Sequence, residues 1–303
     1  MYQGRPDHNA VISRDNFKQH GTYDAKERIN SGLSVAGDMV YFDTLGRKVV
    51  ALDIRTGAVR WQADVDNVTM STPIVAGGSV YIGTGHNGAL GAHDSNFVYA
   101  AGEHGSSVTM WGLRTARRAK TCRPPVAING NLVFVNGDFN AYALRMHDGS
   151  AAWQHDLRGL ATMASANQSG DYAIVSTCSG AEYRGATFAL HWSTGAVRWR
   201  AAAGDCDSAP TVAANQIFVS GVDGNRLSYG YGAHGTVLSL DAGTGRVLWR
   251  YVSPEAGPYT KIGSNERAIA GCYASGTYFV HTEAAALGGH VRMPLHAGRQ
   301  MQS

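Results

Sequence analysis

Short apolar stretches alternate with glycine-containing turns along the whole chain, and one 13-residue sequence motif, called the phrase below, recurs. In each copy an alternating apolar strand runs into a Thr-Gly or Asp-Gly turn, and a second strand then ends at a tryptophan. Glycine accommodates the positive φ that tight turns require, so each copy predicts a β-hairpin. Good copies span residues 49–61, 141–153, 187–199 and 237–249; a degenerate copy spans 108–120, with Lys120 in place of tryptophan, and a weak echo ends at Met293.

A second predicted hairpin precedes each phrase, with small turn-forming residues between two apolar strands. Two hairpins per repeat make a four-stranded unit, and the repeat ends lie about 46 residues apart, which is the spacing of propeller blades. We therefore predict an all-β chain that forms a single β-propeller domain over residues 1–303, with six four-stranded blades favoured. The preceding hairpins span residues 31–42, 71–83, 124–135, 165–176, 208–220 and 265–280.

The number of blades and the closure of the ring stay open at this point. The insertion 84–107 contains a strand-like piece, residues 97–101, which predicts an extra hairpin and leaves seven blades as the alternative. The last blade is short, and residues 9–13 are the candidate for its missing outer strand.

The repeated tryptophans are predicted to be structural. A large ring at a fixed place in each repeat fills the wedge between neighbouring sheets, so packing explains these residues better than ligand binding. They are Trp61, Trp153, Trp199 and Trp249.

The phrases resemble the Ala-x-Asp-x-x-Thr-Gly-x-x-x-Trp docking motif of the quinoprotein alcohol dehydrogenase-like β-propellers, whose sequences consist of PQQ-like repeats. The resemblance covers essentially the whole chain and implies tryptophan-docked blades. It does not imply one function, because this family includes quinone-dependent dehydrogenases, barrel-assembly lipoproteins, kinase sensor domains and binding modules. The full match is formed by Ala51, Asp53, Thr56, Gly57 and Trp61, and residues 239–249 match nearly as well.

A quinone cofactor is not expected in this chain. Quinone-dependent members of the family usually have eight blades, hold the cofactor between a tryptophan and a disulfide of adjacent cysteines, and bind calcium through Glu, Asn and Asp. The cysteines here are Cys122, Cys178, Cys206 and Cys272, and none is adjacent to another. We therefore predict no organic cofactor. A disulfide between Cys178 and Cys206, which fall on one face of adjacent predicted blades, stays open.

Charge and hydropathy argue against two classes of partner. The formal net charge is +3 and no basic run of five residues occurs, so a nucleic-acid partner is not indicated. No apolar stretch approaches the roughly 20 residues that a membrane span needs. Residues 1–6 are not followed by the apolar region of a signal peptide. The sequence as it stands therefore predicts a cytoplasmic protein, or a periplasmic or secreted one whose signal peptide has been removed.

One face of the predicted propeller carries most of the candidate chemistry. Connections between the second and third strands of each blade emerge there together with the segments between blades, and long loops on a rigid scaffold concentrate binding and catalysis. Histidine titrates near neutrality and pairs with Glu or Tyr for proton transfer. The catalytic candidates are His86, His93, His104, Glu182, Tyr183 and His234, and the ligand-binding candidates are Arg184, Tyr229, Tyr231 and Lys261.

The starts of the innermost strands supply a polar ring at the same face, and its charges are Arg123, Asp207 and Glu266. Such a ring either seats a small polar ligand or hydrates the mouth of the channel. Imidazole and carboxylate groups also suit Zn or Mn, but His86, His93, Asp94 and His104 have the spacing of no compact metal motif. A metal therefore stays open without support.

Two functions fit these observations. We favour a module that binds a small molecule or a protein through the long-loop face, because Tyr and Arg are favoured at such surfaces. The alternative is an enzyme without an organic cofactor, a lyase, cyclase or isomerase that uses acid–base residues of the same face. A quinone-dependent dehydrogenase comes third. A concave pocket that brings a His to a Glu or Tyr favours the enzyme, and a broad open face favours the binding module.

Overall fold

The regular secondary structure of the described chain is entirely β-strand, and the strands form six antiparallel sheets in chain order. No helix able to span a membrane occurs in the part of the chain that is described. The computed structural model describes residues 22–29, 31–67, 69, 71–85, 97–105, 108–110, 125–135, 139–158, 160–161, 165–179, 185–203, 209–213, 215–223, 234–256, 267–274, 277–283 and 289–294.

The sheets follow the sequence repeat, with two hairpins in each complete sheet. Sheet 1 contains β1 (Ser34–Ala36), β2 (Met39–Thr44), β3 (Lys48–Asp53) and β4 (Val59–Asp64), and sheet 2 contains β5 (Ile74–Ala76), β6 (Ser79–Gly83), β7 (Val98–Gly102) and β8 (Val108–Met110). Sheet 3 contains β9 (Val126–Ile128), β10 (Asn131–Val135), β11 (Asn140–Arg145) and β12 (Ala151–Asp156). Sheet 4 contains β13 (Leu160–Ala161), β14 (Asn167–Ser169), β15 (Tyr172–Ser179), β16 (Ala186–His191) and β17 (Val197–Ala201). Sheet 5 contains β18 (Thr211–Ala213), β19 (Gln216–Asp223), β20 (His234–Asp241) and β21 (Val247–Ala256), and sheet 6 contains β22 (Arg267–Ala274), β23 (Thr277–Glu283) and β24 (Gly289–Pro294).

The motif turn has the same geometry in four sheets. The glycine N–H donates to the carbonyl four residues earlier, for example from Gly57 to Asp53 at 2.8 Å and from Gly195 to His191 at 2.9 Å. Both glycines have positive φ, at 69° and 70°, which is why the motif needs glycine there. A β-bulge follows each of these turns, and the extra residue on the fourth strand is the one before the tryptophan: Arg60, Ala152, Arg198 or Leu248.

Three tryptophans reach from their own sheet into the motif turn of the next one. The indole N–H of Trp61 donates to Glu103 O at 2.9 Å, that of Trp153 to Trp192 O at 2.7 Å, and that of Trp199 to Ala242 O at 3.0 Å. The rings lie against the turn glycine so closely that a Cβ on Gly195 would come within 2.6 Å of Trp153. These contacts place one ring at each of three junctions between sheets.

The hydrophobic core lies between the faces of successive sheets. Tyr41 of sheet 1 packs with Ile82 of sheet 2 in one cluster, and Val133 of sheet 3 packs with Phe188 of sheet 4 in another. The first strands of successive sheets also lie side by side, from β1 next to β5 through to β18 next to β22. The sheets are therefore stacked face to face around their first strands.

Each sheet has two ends that matter for function. We call the end with the turns between first and second and between third and fourth strands the turn end. The other, with the connections between second and third strands and the segments between sheets, is the loop end. β13 confirms this grouping directly: it belongs to the segment between sheets 3 and 4, and it pairs with the far end of β15 through Ala161 and Cys178.

Sheet 2 departs from the sequence-based assignment. Residues 97–101 were predicted to form an extra hairpin, but β7 (Val98–Gly102) is the third strand of sheet 2 and pairs with both β6 and β8. The repeat copy placed at 108–120 is therefore wrong. Thr109 pairs with Ala100 in the register at which Trp61 pairs with Ala51. Thr109, and not Lys120, occupies the tryptophan position of this sheet.

Two further boundaries differ from expectation in the last sheets. β21 continues to Ala256, which pairs with His234, so the segment expected to leave sheet 5 at Val252 begins as strand. Sheet 6 has three strands among the described residues. Residues 9–13, the predicted outer strand of the last blade, lie outside the described residues.

Candidate functional site

Most of the sequence-predicted site residues lie outside the described residues. The described strands that flank them end at the loop end, and the roles of these residues stay predictions. Within the described chain no group of three His, Cys, Asp or Glu side chains comes together as a metal site. The residues outside are His86, His93, Asp94, Arg123, Glu182, Tyr183, Arg184, Cys206, Asp207, Tyr229, Tyr231, Lys261 and Glu266.

His234 and His104 lie at opposite ends of their sheets. His234 is the first residue of β20 and pairs with Asp223 at the loop end of sheet 5. His104 lies in the β7–β8 turn, where Gly105 N–H donates to Gly102 O at 2.8 Å. Since β6 and β7 are antiparallel, this turn lies the length of a strand away from the connection that contains His86 and His93. The placement of His104 in that connection is wrong, and its catalytic role stays a prediction.

A buried polar cluster lies at the loop end of sheets 1 and 2. It consists of Asp43, Thr69, Ser71 and Thr84, and each of these residues is at most 1% exposed, as is Asn67 in the segment between the two sheets. Thr84 Oγ1 accepts the Phe97 N–H at 3.1 Å, and Ser71 Oγ accepts the Gly83 N–H at 3.4 Å. The cluster therefore holds both ends of the β6–β7 connection, whose middle contains His86 and His93.

Asp43 is the chemically unusual member of this cluster. Its Oδ2 accepts a hydrogen bond from Thr69 Oγ1 at 2.5 Å, whereas its Oδ1 has no hydrogen-bond partner among the described residues. Burial raises the pKa of this carboxyl to about 7, and Ser31 and Thr69 partly oppose that rise. Ser31 Oγ lies near the carboxyl but makes no hydrogen bond of good geometry. Asp43 therefore holds a proton that titrates near neutrality.

Sequence reasoning did not select Asp43, although one signal was present. The sequence of β2 is MVYFDT, so a charged residue lies in an otherwise uncharged strand whose side chains are mostly buried. Sheets 2 to 5 hold no acid at this register position. Their residues are Gly83, Val135, Ser176 and Ser220.

Tyr99 and Asp66 form a second polar pair beside the cluster. The Tyr99 hydroxyl donates to Asp66 Oδ1, and burial raises the pKa of this tyrosine above its ordinary value. Asp66 belongs to the segment between sheets 1 and 2, so the pair ties this segment to β7. The Tyr99 side chain is buried whereas Asp66 is exposed, so the pair costs most when the buried Tyr99 hydroxyl loses its acceptor.

The turn end carries a second set of polar side chains. In sheet 1, Asp53 Oδ1 accepts from the Thr56 N–H at 2.8 Å and from Thr56 Oγ1 at 3.0 Å, and its Oδ2 lies 2.5 Å from the guanidinium of Arg60. These bonds hold the pKa of Asp53 far below its ordinary value. Asp241 and Thr244 of sheet 5 repeat the scheme, with the two bonds at 2.8 and 2.7 Å.

The family of the chain follows from comparison with known proteins. The family model described as outer membrane protein assembly factor BamB matches residues 6–166 and 142–293. The chain belongs to this family. The matched segments run through all six sheets, so the PQQ-like repeat β-propeller that the sequence predicts is confirmed. The number of blades stays a prediction.

Two solved structures show the fold and one curated relative extends the comparison. BamB from Moraxella catarrhalis has a TM-score of 0.57 and 16% identity, covering 90% of this chain and 78% of that one. A europium-containing methanol dehydrogenase has a TM-score of 0.53 and 11% identity, covering 87% and 68%. Tetrathionate hydrolase of Acidithiobacillus ferrooxidans is 23% identical over 242 residues, or 72% of this chain and 47% of the relative. The chain thus spans about half the length of that relative.

Proposed function

We propose that this BamB-family propeller is a protein-binding module whose partner engages the loop end. The observation that supports it is the match to a model named after an outer membrane protein assembly factor, across residues 6–293. Assembly of other proteins requires a surface that contacts them. The loop end supplies the longest connections of the chain, and long loops on a rigid scaffold are the usual contact surfaces.

The residues proposed to contact the partner are Arg184, Tyr229, Tyr231 and Lys261. Tyrosine and arginine are enriched at protein interfaces because they bury large areas and still offer hydrogen bonds. The charges of the proposed ring, Arg123, Asp207 and Glu266, lie in the segments before first strands. They are proposed to contact a small polar ligand or the edge of the partner.

Site-specific photo-cross-linking in the native organism tests this proposal. A photoreactive residue is placed at Arg47, Arg184 or Tyr229 for the loop end, and at Arg55, His147 or Thr194 as matched controls at the turn end. We expect the same protein adduct from the loop-end positions and none from the controls. The double charge reversal Arg184→Glu and Lys261→Glu should then weaken binding of the purified partner at least tenfold. Adducts from the turn end alone, or from neither end, would overturn the proposal.

A second candidate is a hydrolytic enzyme, and two observations favour it. One is the similarity to tetrathionate hydrolase, and the other is the buried Asp43, whose pKa of about 7 suits a general acid. Of the acid–base residues predicted from sequence, His86, His93, Glu182, Tyr183 and His234 belong to loop-end connections. The sequence predicted a lyase, cyclase or isomerase as the enzyme alternative. The reaction class proposed here is hydrolysis instead. No quinone cofactor is proposed, because the chain has no adjacent cysteines.

Incubation of the purified protein with tetrathionate separates this candidate from the first. Consumption of tetrathionate that falls about 100-fold or more in Asp43→Asn, but not in the exposed control Asp64→Asn, would support the enzyme. No consumption above the uncatalysed rate across pH 3–8 would leave the binding module as the function.

A further inference from the structure

The motif turn of sheet 4 lacks the aspartate found in sheet 1 but has the same arginine at the bulge position. In sheet 1 the bulge residue Arg60 contacts the carboxylate of Asp53 at 2.5 Å. Sheet 4 has Arg198 at the same bulge position, but His191 replaces the aspartate. The turn from His191 to Gly195 contains no acidic residue, whereas the turns of sheets 1, 3 and 5 each contain one.

Arg198 is fixed in place without a carboxylate. Its Nε donates to Gly243 O at 2.8 Å and its Nη1 to the Tyr172 hydroxyl at 2.9 Å, while the guanidinium lies over the Tyr172 ring, 5.0 Å from the centroid. The ion pairs found within the described ranges do not include Arg198. A guanidinium held by two neutral acceptors and an aromatic face keeps its full charge and presents its remaining N–H groups to solvent.

His191 contributes a second donor beside this guanidinium. Its Nδ1 accepts the Ser193 N–H at 3.3 Å, so the proton of the neutral ring is on Nε2. The ring packs edge-on against Tyr172, with centroids 5.5 Å apart, and therefore has a fixed orientation. Thr194 Oγ1 accepts the Ala196 N–H at 3.2 Å and can donate its own hydrogen outward.

These side chains line one depression with a volume of about 360 Å³, bounded by Tyr172, His191, Thr194, Ala196, Val197 and Arg198. We propose that this depression binds a small oxyanion, such as sulfate, phosphate or a carboxylate. The oxyanion gives Arg198 the anionic partner that Arg60 has in the Asp53 carboxylate of sheet 1. Arg198, His191 and Thr194 supply donors, and the faces of Tyr172 and Val197 accept an apolar substituent of the ligand. Asp171, in the β14–β15 turn, is the acidic residue of the adjoining turn, and its backbone carbonyl accepts the Trp192 N–H at 3.1 Å.

The site is independent of the proposed loop-end function, because His191 and Arg198 lie at the turn end. An NMR titration with sodium sulfate, against sodium chloride at matched ionic strength, tests it. The Arg198 Nε–H is the reporter, since its hydrogen bond to Gly243 O protects it from exchange. We expect a saturable shift with a Kd in the millimolar range, as for one charge-assisted contact site at an exposed surface.

Three variants make the test specific. Arg198→Gln should abolish the sulfate response, followed then on the backbone amides of residues 191–196. His191→Asp should restore the aspartate–arginine pair of sheet 1 and weaken sulfate binding at least tenfold without lowering the melting temperature. Arg60→Gln, at the same bulge position of sheet 1, should leave sulfate binding unchanged. A response no larger for sulfate than for chloride, or equal sulfate binding by wild type and His191→Asp or Arg198→Gln, would overturn the site.

Discussion

Replacing Gly195 by alanine should cost far more stability than the same change at Gly57. Both glycines occupy the same place in the motif turn, with φ of 70° and 69°. Among the described residues a new Cβ on Gly57 meets no atom within 4 Å, whereas one on Gly195 lies 2.6 Å from Cε3 of Trp153. The left-handed backbone conformation alone costs alanine about 1–2 kcal/mol, and this is the whole expected effect at Gly57.

At Gly195 the Trp153 ring must also move. Overpacking a tight core costs about 1–3 kcal/mol, and weakening the indole bond to Trp192 O costs about 1 kcal/mol more. We therefore expect Gly195→Ala to lose about 4 kcal/mol, and Gly57→Ala about 1–2 kcal/mol. Urea unfolding followed by far-UV circular dichroism measures both, because this signal comes mainly from the backbone and so reports loss of the sheets. Equal losses in the two variants would refute the idea that the ring is held tightly against the turn.

Two carboxyl groups give predictions of opposite sign with pH. The folded-state pKa of Asp43 is raised to about 7, so its contribution to stability is complete below pH 4 and is lost as the pH rises to 7. The free energy of unfolding of the wild type, measured with urea, should therefore fall by on the order of 4 kcal/mol between pH 4 and 8. Asp43→Asn should remove most of this fall. An unchanged decline in this variant would contradict the buried acid. The folded-state pKa of Asp53 is lowered by its hydrogen bonds in the turn and by Arg60, so its contribution to stability is present above pH 4 and is lost at lower pH. Asp53→Asn should lower the melting temperature at pH 7, and the difference in melting temperature from the wild type should shrink below pH 4. A difference that grows on acidification would contradict this reading.

The strands were predictable where their signals are local. Alternation and the Thr-Gly turn of residues 49–61 depend only on neighbouring residues, and β3 and β4 formed where the pattern placed them. The repeat pattern was misassigned in sheet 2 for two reasons. Its turn, Gly102–Gly105, is one residue shorter than the motif turns of the other sheets, and Thr109 stands where tryptophan is expected. The assignment therefore moved to the next stretch of similar polarity, residues 108–120.

The chemistry was harder to predict because it depends on contacts between distant residues. Asp43 reads as an ordinary polar residue until Thr69, 26 residues away, is seen to bond it inside a fully buried cluster. The role of His191 depends on a comparison between repeats. The ion pair of Asp53 and Arg60 in sheet 1 shows that Arg198 of sheet 4 has no carboxylate at the corresponding position.

The forward direction of the tryptophan contacts has a consequence for synthesis of the chain on the ribosome. Trp61, Trp153 and Trp199 each donate to a turn that is translated after them, at separations of 39–43 residues. A newly made sheet therefore cannot complete its junction until the following repeat has emerged. Assembly from the N-terminus should lag translation by about one repeat, and a chain stalled directly after sheet 1, 3 or 4 should carry one indole N–H that still lacks its acceptor.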